Sequence, residues 1–498
     1  MEGVPNRRRV LRTSGWLLAL AVLGFVAWRA WQWFRPPPRL VPSRETTYLT
    51  EPARQDGTID HAAAWRAAHC TGVTPENNGA LLLCAAMGLE LDRFSEEERA
   101  ALPEVVTTFV PWAHWAFDHP DVLGRQPDDP VSDLDDAVEA FERGETNGPA
   151  AAAIRQWLAA MKEPLDLARR ASERERFFVP FDGPLANHPH LDWRPVYVFL
   201  GLRLRAMCAT ANGDFAAACE ELVATIRLVR LVGSFGFAEC EMEFLGEAAA
   251  WQTARCAARL HGGITAAELA PLAAAAERTP FDARAGLMLE EHRIFFLDGL
   301  RALGRPAPGP APDSSPRRRP SFESLFSRLD PNRLSRRLNE WFDRLDHATL
   351  DPAPWDERLR RLVQLRGDAR RVGRAAKRGM LSSLLAGPDA VADAAADILA
   401  SVFVAAVQRQ VLELARCMAE ADVAFAELAA LAYAADSGRD PVSTEELDPV
   451  ALARPFRDRL TGSPLQCRRE AGGDLVVDGP VVDLLHRLEA VQNESETR

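Results

Sequence analysis

Five ionisable residues crowd the stretch 290–298: Glu290, Glu291, His292, Arg293 and Asp298. Paired carboxylates beside an imidazole do general acid–base work when burial drives their pKa values apart. On a helix, Glu290 and Arg293 stand three residues apart and Glu291 lies one turn before Phe295. The same charges therefore also suit an ion-pair network that joins helices. No partner nucleophile accompanies them, and the structural reading is the favoured one.

A second string, His188-Pro189-His190-Leu191-Asp192, offers two imidazoles and a carboxylate within five residues. A metal site with an open position uses such groups. The string sits in a proline-rich loop with no further ligand predicted nearby, so a solvated loop is favoured over a metal. His114, Asp118 and His119 are weaker, because Trp112, Trp115 and Phe117 among them point to packing. The chain has no G-x-S-x-G, no H-E-x-x-H, no P-loop string and no dinucleotide fingerprint. None of the eight cysteines (70, 84, 208, 219, 240, 256, 417 and 467) forms C-x-x-C, which excludes zinc-ribbon and thioredoxin-like readings. Cys208 and Cys219 flank one turn and are the pair placed to bridge, although a small buried apolar role is the ordinary one for such residues. No catalytic, cofactor-binding or metal-ligating residue is assigned, no cofactor is expected, and the balance leans away from an enzyme.

The elements that would position these residues are helices. Ala and Leu dominate, only three Tyr occur and aromatics make up 8% of the chain. The periodicity predicts helices over 60–70, 78–89, from 95, and 150–174 with a break at Pro164. Thr74 followed by Pro75 reads as a cap with proline at the first helical position, and Ser95 with Glu98 as a capping box. Segments 196–209 and 215–232 form an αα-hairpin, with Gly213 closing the first helix and Asp214 capping the second. Helices over 239–260, 265–278 and 282–303 follow. Six prolines within 304–320 mark an exposed loop, and helices resume near 325 and run to 435. Beyond 436, segments 465–467 and 474–477 read as a β-hairpin around Gly472-Gly473, followed by a closing helix over 481–491.

Residues 1–40 hold seven arginines and one acid, a balance of +6, which leaves −18 for the rest of a chain whose formal charge is −12. An acidic body lacks the basic face that nucleic acid requires, so no nucleic-acid partner is expected. Segment 15–34 holds 20 residues, carries Arg29 near one end, and has Trp28, Trp31 and Trp33 as an aromatic belt. It reads as an uncleaved signal anchor, the contact of this chain with the lipid bilayer. Arg7, Arg8, Arg9 and Arg12 before it place the N-terminus in the cytoplasm and the body outside a bacterial cell membrane. A second apolar run, 398–407, is short and bounded by Asp397 and Arg409, which suits a core helix. The expected organisation is a basic tail (1–14), the anchor (15–34), a linker (35–55) stiffened by Pro36-Pro37-Pro38, a helical domain (56–303), a proline-rich loop (304–324), a second helical segment (325–435) and a small α/β tail (436–498).

Several strings resemble an uncharacterised family of membrane-anchored proteins abundant in planctomycete bacteria. They are Gly72-Val73-Thr74-Pro75-Glu76-Asn77-Asn78-Gly79-Ala80, Trp157-Leu158-Ala159-Ala160 with Glu163-Pro164-Leu165-Asp166-Leu167, Asn212-Gly213-Asp214, His292-Arg293 with Leu297-Asp298, and Leu338-Asn339 with Asp343-Arg344-Leu345. The Gly213-Asp214-Phe215 and Ala218 turn also resembles that of tetratricopeptide repeats, without a repeat period. Tyr433, Gly438, Pro441, Leu447, Pro455, Asp458, Thr461-Gly462 and Pro464-Leu465 are similar to the tails of type II secretion pseudopilins. Asp440 before Pro441, Cys467 in place of an aromatic, and the missing acidic run after the hairpin depart from that pattern, which puts its calcium site in doubt. The resemblance implies architecture rather than chemistry. The expected function is a membrane-anchored envelope scaffold or adaptor with envelope protein partners; an exported hydrolase using acidic residues on the central helices and a secretion-system accessory with a pseudopilin-like tail are the alternatives.

Overall fold

The computed structural model describes the chain mainly over residues 38–100, 108–118, 140–182, 194–303 and 328–441, with shorter pieces elsewhere. Over these residues the protein is mainly helical. Most of segment 15–34, residues 304–327 and 470–474, and most of the helix expected over 481–491 lie outside the described residues.

The first helices are α1 (His61–Cys70), α2 (Gly79–Met87), the short α3 (Glu96–Ala100) and α4 (Trp112–Asp118). Asp60 caps α1 by accepting from the Ala63 N–H. The capping box at the start of α3 forms: Ser95 N donates to Glu98 Oε2 at 2.8 Å and Glu98 N donates to Ser95 Oγ at 3.2 Å. The Thr74-Pro75 start does not. Residues 75–77 form a turn, and α2 begins at Gly79 under an Asn78 cap. Asn78 prevails because its buried amide serves two elements. Its Oδ1 accepts from Ala80 N (3.1 Å) and Phe178 N (3.0 Å), while Nδ2 donates to Phe178 O (2.8 Å).

The 150–174 stretch divides into α5 (Pro149–Ala160) and α6 (Lys162–Ser172). The break is at Met161, so Pro164 falls in the first turn of α6, where its missing N–H has no intrahelical partner to lose. The αα-hairpin is α7 (Arg194–Ala211) and α8 (Phe215–Gly233); Gly213 takes φ 80° and Asp214 accepts from Ala217 N. Next come α9 (Glu239–His261), α10 (Ala266–Ala276), opened by a Thr265–Glu268 capping box, and α11 (Phe281–Leu303). Three long helices complete the bundle: α12 (Pro331–Leu350), α13 (Trp355–Ala386) and α14 (Pro388–Ser437). Two short strands, β1 (Gln466–Arg469) and β2 (Leu475–Asp478), pair antiparallel with Cys467 opposite Val477.

Apolar side chains gather in two cores. The first is built from α1, α2 and α5 to α10, with Ala419–Ala432 of α14 added. The second is built from α11, α12, α13 and the Val391–Met418 part of α14, with Phe244 of α9. Each fully buried Leu, Ile or Phe contributes about 1.5–3 kcal/mol of apolar transfer, opposed by chain entropy of similar total size. Helix α14 thus belongs to both cores. Among the described residues it is the one helix long and apolar enough, by length and composition, to cross a membrane, and half of its most apolar stretch is buried. It packs along its length against α13, α12 and α9.

The stretch over 39–45, expected to be part of a linker, does not stand clear of the body. Val41 N donates to Asn332 Oδ1 (2.7 Å), Asn332 Nδ2 donates to Arg39 O (2.9 Å) and Asn339 Nδ2 donates to Glu45 O (2.9 Å). Two side-chain amides on α12 satisfy its backbone and fasten it there.

Candidate functional site

Helix α11 is the centre of the charge cluster, and its faces reach three different elements. Glu291 faces α1, where His69 Nε2 lies 3.0 Å from Glu291 Oε1. The His69 ring stacks on Trp65 at 3.9 Å, and its Nδ1 lies 2.8 Å from the Trp65 carbonyl. That carbonyl only accepts, so Nδ1 carries a hydrogen. The Nε2–Oε1 bond then needs a second proton, on the imidazole or on the carboxyl. This dyad joins the predicted Glu291 to His69, which the sequence reading did not single out, and is the arrangement on α11 nearest to acid–base chemistry.

Arg293 turns to α12. Its Nε donates to Asn339 Oδ1 (3.1 Å) and its Nη2 to Asn339 O (3.0 Å), with ion pairs to Asp343 and to Asp346 (3.4 Å). Its guanidinium also lies 4.3 Å from the Tyr48 ring centroid. Burial pushes the Asp346 carboxyl up, with Arg293 opposing. Asp298 is buried and accepts from Leu185 N at 2.8 Å, fixing the loop before α7. His292 is buried against Met288 O (2.6 Å), and burial holds its imidazole below the usual histidine range. Glu290 is exposed. Among the described residues, the five share one helix, and the partners of Glu291, Arg293 and Asp298 stand on three different elements.

His188 is buried among aromatic rings, 4.4 Å from Phe235 and 4.9 Å from Trp65 between centroids. It packs rather than sitting in a solvated loop; His190 and Asp192 lie outside the described residues. His114 and Asp118 are exposed, Trp112 and Trp115 between and before them are buried, and His119 lies outside the described residues. Among the described residues no group of three or more His, Cys, Asp or Glu is placed to hold a metal ion. Cys208 and Cys219 are free thiols, as are Cys70, Cys84 and Cys256, so the αα-hairpin is unbridged. Burial pushes the Cys84 and Cys219 thiols up to about 12 and Cys208 up to about 11, which leaves them protonated and inert.

One hollow among the described residues contains none of these side chains. A cleft of about 480 Å³ opens between α9 and α14, walled by Trp251, Ala248, Val423 and Ala424 and closed at one side by Val477 of β2. Its polar groups are Gln252, Arg255, Glu420 and Glu427. Glu427 is gripped by Arg255 through two hydrogen bonds of 2.6 and 2.7 Å, with Arg259 at 3.4 Å. Burial pushes its carboxyl up and the two guanidiniums oppose that. A carboxylate so engaged is a fixed charge rather than a base. The cleft is mostly apolar with a paired-charge rim, in the size range of small-molecule or side-chain pockets. The sequence carried one signal for it: Glu427 interrupts the apolar run of 423–433, and a buried acid on a helix requires a cation from a neighbour.

A second hollow, about 530 Å³, lies over α12 and α14 and is lined by Arg333, Arg336, Arg337, Glu340, Asp393 and Asp397. Arg333 pairs with Asp393 (2.5 and 2.7 Å) and Arg337 with Asp397 (3.0 Å). These solvent-facing pairs fasten the two helices, each worth about 0–1 kcal/mol.

Compared with protein-family models, curated proteins and solved structures, the chain matches none.

Proposed function

We propose that this chain is a membrane-anchored, helical protein of the bacterial cell envelope that acts as a scaffold or adaptor for protein partners. Segment 15–34 is its bilayer span, the N-terminus is cytoplasmic and the body is outside. The observation that carries this reading is the fate of the α11 charges: Glu291, Arg293 and Asp298 tie α11 to three different elements, α1, α12 and the loop before α7. The apolar α9–α14 cleft with its paired-charge rim offers a seat for a partner's side chains. The resemblance to planctomycete membrane-anchored proteins points the same way.

The test is in-cell crosslinking of the tagged full-length protein, gentle detergent extraction and mass spectrometry. A reproducible, near-stoichiometric envelope partner supports the reading, and a Trp251→Ala/Val423→Asp variant loses that partner. A protein that comes out alone overturns it.

One observation favours an exported hydrolase as a second reading. Oε2 of Glu291 is buried without a hydrogen-bond partner while Oε1 meets His69, so the carboxyl retains an unspent acceptor. Saturable turnover by the purified protein, lost in Glu291→Gln, would establish it.

A further inference from the structure

The buried face of α13 stops at Gly373. Beyond it, thirteen residues, 374–386, continue the helix with none buried, a projection of about 20 Å at 1.5 Å per residue. Leu381 and Leu385 at its tip are 72% and 65% exposed, and Leu384 is exposed beside them. Positions 381, 384 and 385 share one helix face, and the exposed Arg374, Lys377 and Arg378 precede them on that same face by one to two turns. Between 366 and 378 stand six basic residues and one acid, Asp368, which is already paired with Arg371 and Arg344 at 2.9 Å each. In a chain of net charge −12 this stripe is the reverse of the average surface.

The described part of the anchor segment meets this tip. The Arg29 guanidinium donates to the Ala386 carbonyl, the last residue of α13, and to Gln32 Oε1 at 2.7 Å. Trp33 packs on the second core, and Arg328 Nη1 donates to Trp33 O at 3.3 Å. Trp28 and Trp31, the predicted headgroup belt, are exposed on the segment that touches the tip. The level at which the chain enters a bilayer is therefore the level of Leu381–Leu385.

We infer that the tip of the α13–α14 hairpin is a second membrane contact. Leu381, Leu384 and Leu385 enter the headgroup–acyl boundary, while Arg374, Lys377 and Arg378 meet anionic headgroups one to two turns behind. The occupant of this exposed apolar face is the lipid bilayer, by continuity with the anchor segment and by charge. An apolar tip backed by basic residues is how interfacial helices bind anionic membranes. Two contacts fix the orientation of the body on the membrane, where one span alone leaves it free to swivel. The inference rests on 15–34 being the span.

The experiment uses the full-length protein in nanodiscs that contain a lipid with a photoactivatable diazirine in its acyl chain, with adducts mapped by mass spectrometry. The expected result is adducts within 15–34 and also within 379–387 of the peptide released after Arg378. The second set should rise several-fold when half the lipid is phosphatidylglycerol rather than all phosphatidylcholine. In Leu381→Gln/Leu384→Gln/Leu385→Gln the second set should fall several-fold while the first persists. Adducts confined to 15–34 overturn the tip contact and leave the span standing. Adducts in neither segment overturn the span itself. Links between two copies at 379–387 replace the membrane by self-association and likewise overturn the inference.

Discussion

Glu247 is fully buried on α9, and replacing it by leucine removes a buried ion pair with α8. Arg230 on α8 grips it through Nε–Oε2 at 3.0 Å and Nη2–Oε1 at 2.7 Å, and Trp251 Nε1 donates to Oε1 at 3.2 Å. The other arm of Arg230 donates to the carbonyls of Ala275 (2.5 Å) and Glu277 (3.0 Å), closing the end of α10. Breaking a buried ion pair from one side costs about 3–5 kcal/mol, because the surviving charge is left unpaired. Arg230 keeps a fifth of its side chain exposed and retains two carbonyl partners, so the lower end, about 3 kcal/mol, applies to Glu247→Leu. The reverse variant, Arg230→Met, strands a carboxylate with no solvent at all and also uncaps α10, so it should cost more, about 4–5 kcal/mol. Removing both charges leaves neither stranded, and the double variant should lose only about 1–3 kcal/mol, far less than the two singles together. Urea unfolding of the full-length protein in mild detergent, followed by far-UV circular dichroism, measures all four corners of the cycle. Additive losses would refute the reasoning, since they would mean that neither charge depends on the other.

Gly233 ends α8 where a Cβ would come within 2.3 Å of Glu243 Oε2 and 2.4 Å of its Cβ. Gly233→Ala should therefore lose about 2–4 kcal/mol by displacing the buried Glu243–Arg284 pair, although alanine in a helix is otherwise favoured by about 1 kcal/mol; a raised unfolding midpoint would contradict this. Asn78→Ala removes three hydrogen bonds and strands both backbone groups of Phe178, for a loss of about 2–4 kcal/mol by urea titration, whereas Asn77→Ala on the exposed turn should change little. His292 has a pKa held below its ordinary 6.5 chiefly by burial, with Met288 O, Glu291 and Gln410 opposing and Arg284 assisting. Its neutral state thus stabilises the fold fully above about pH 6.5, and that contribution is lost as pH falls from there. Unfolding midpoints across that window should fall in the parent protein and fall less steeply in His292→Gln; parallel slopes would sink the assignment.

Much of the helical order could be read from local chemistry. Gly213-Asp214 and Ser95–Glu98 act within four residues of themselves, so their caps appear in the structure where the spacing places them. Thr74-Pro75 failed for the complementary reason: Asn78 recruits Phe178, 100 residues away, and no local rule weighs a partner at that distance. The cluster on α11 was visible as chemistry but not as geometry. Helical spacing fixes which residues share a face, not which neighbour each face meets, and here the neighbours are α1, α12 and the loop before α7. The α9–α14 cleft was hidden for the same reason, since Arg255 and Glu427 are 172 residues apart and only packing joins them.

Helix α14 is 50 residues long, about 75 Å end to end, with no glycine within it and its one proline at the first position. A helix without such residues has no ready hinge. It is in effect a rigid spar: its start adjoins Gly387, beside Arg29 and Gln32, and its far third forms one wall of the cleft at Glu420 to Glu427. The helix itself thus has no joint between the hairpin tip and the wall of the hollow at the other end.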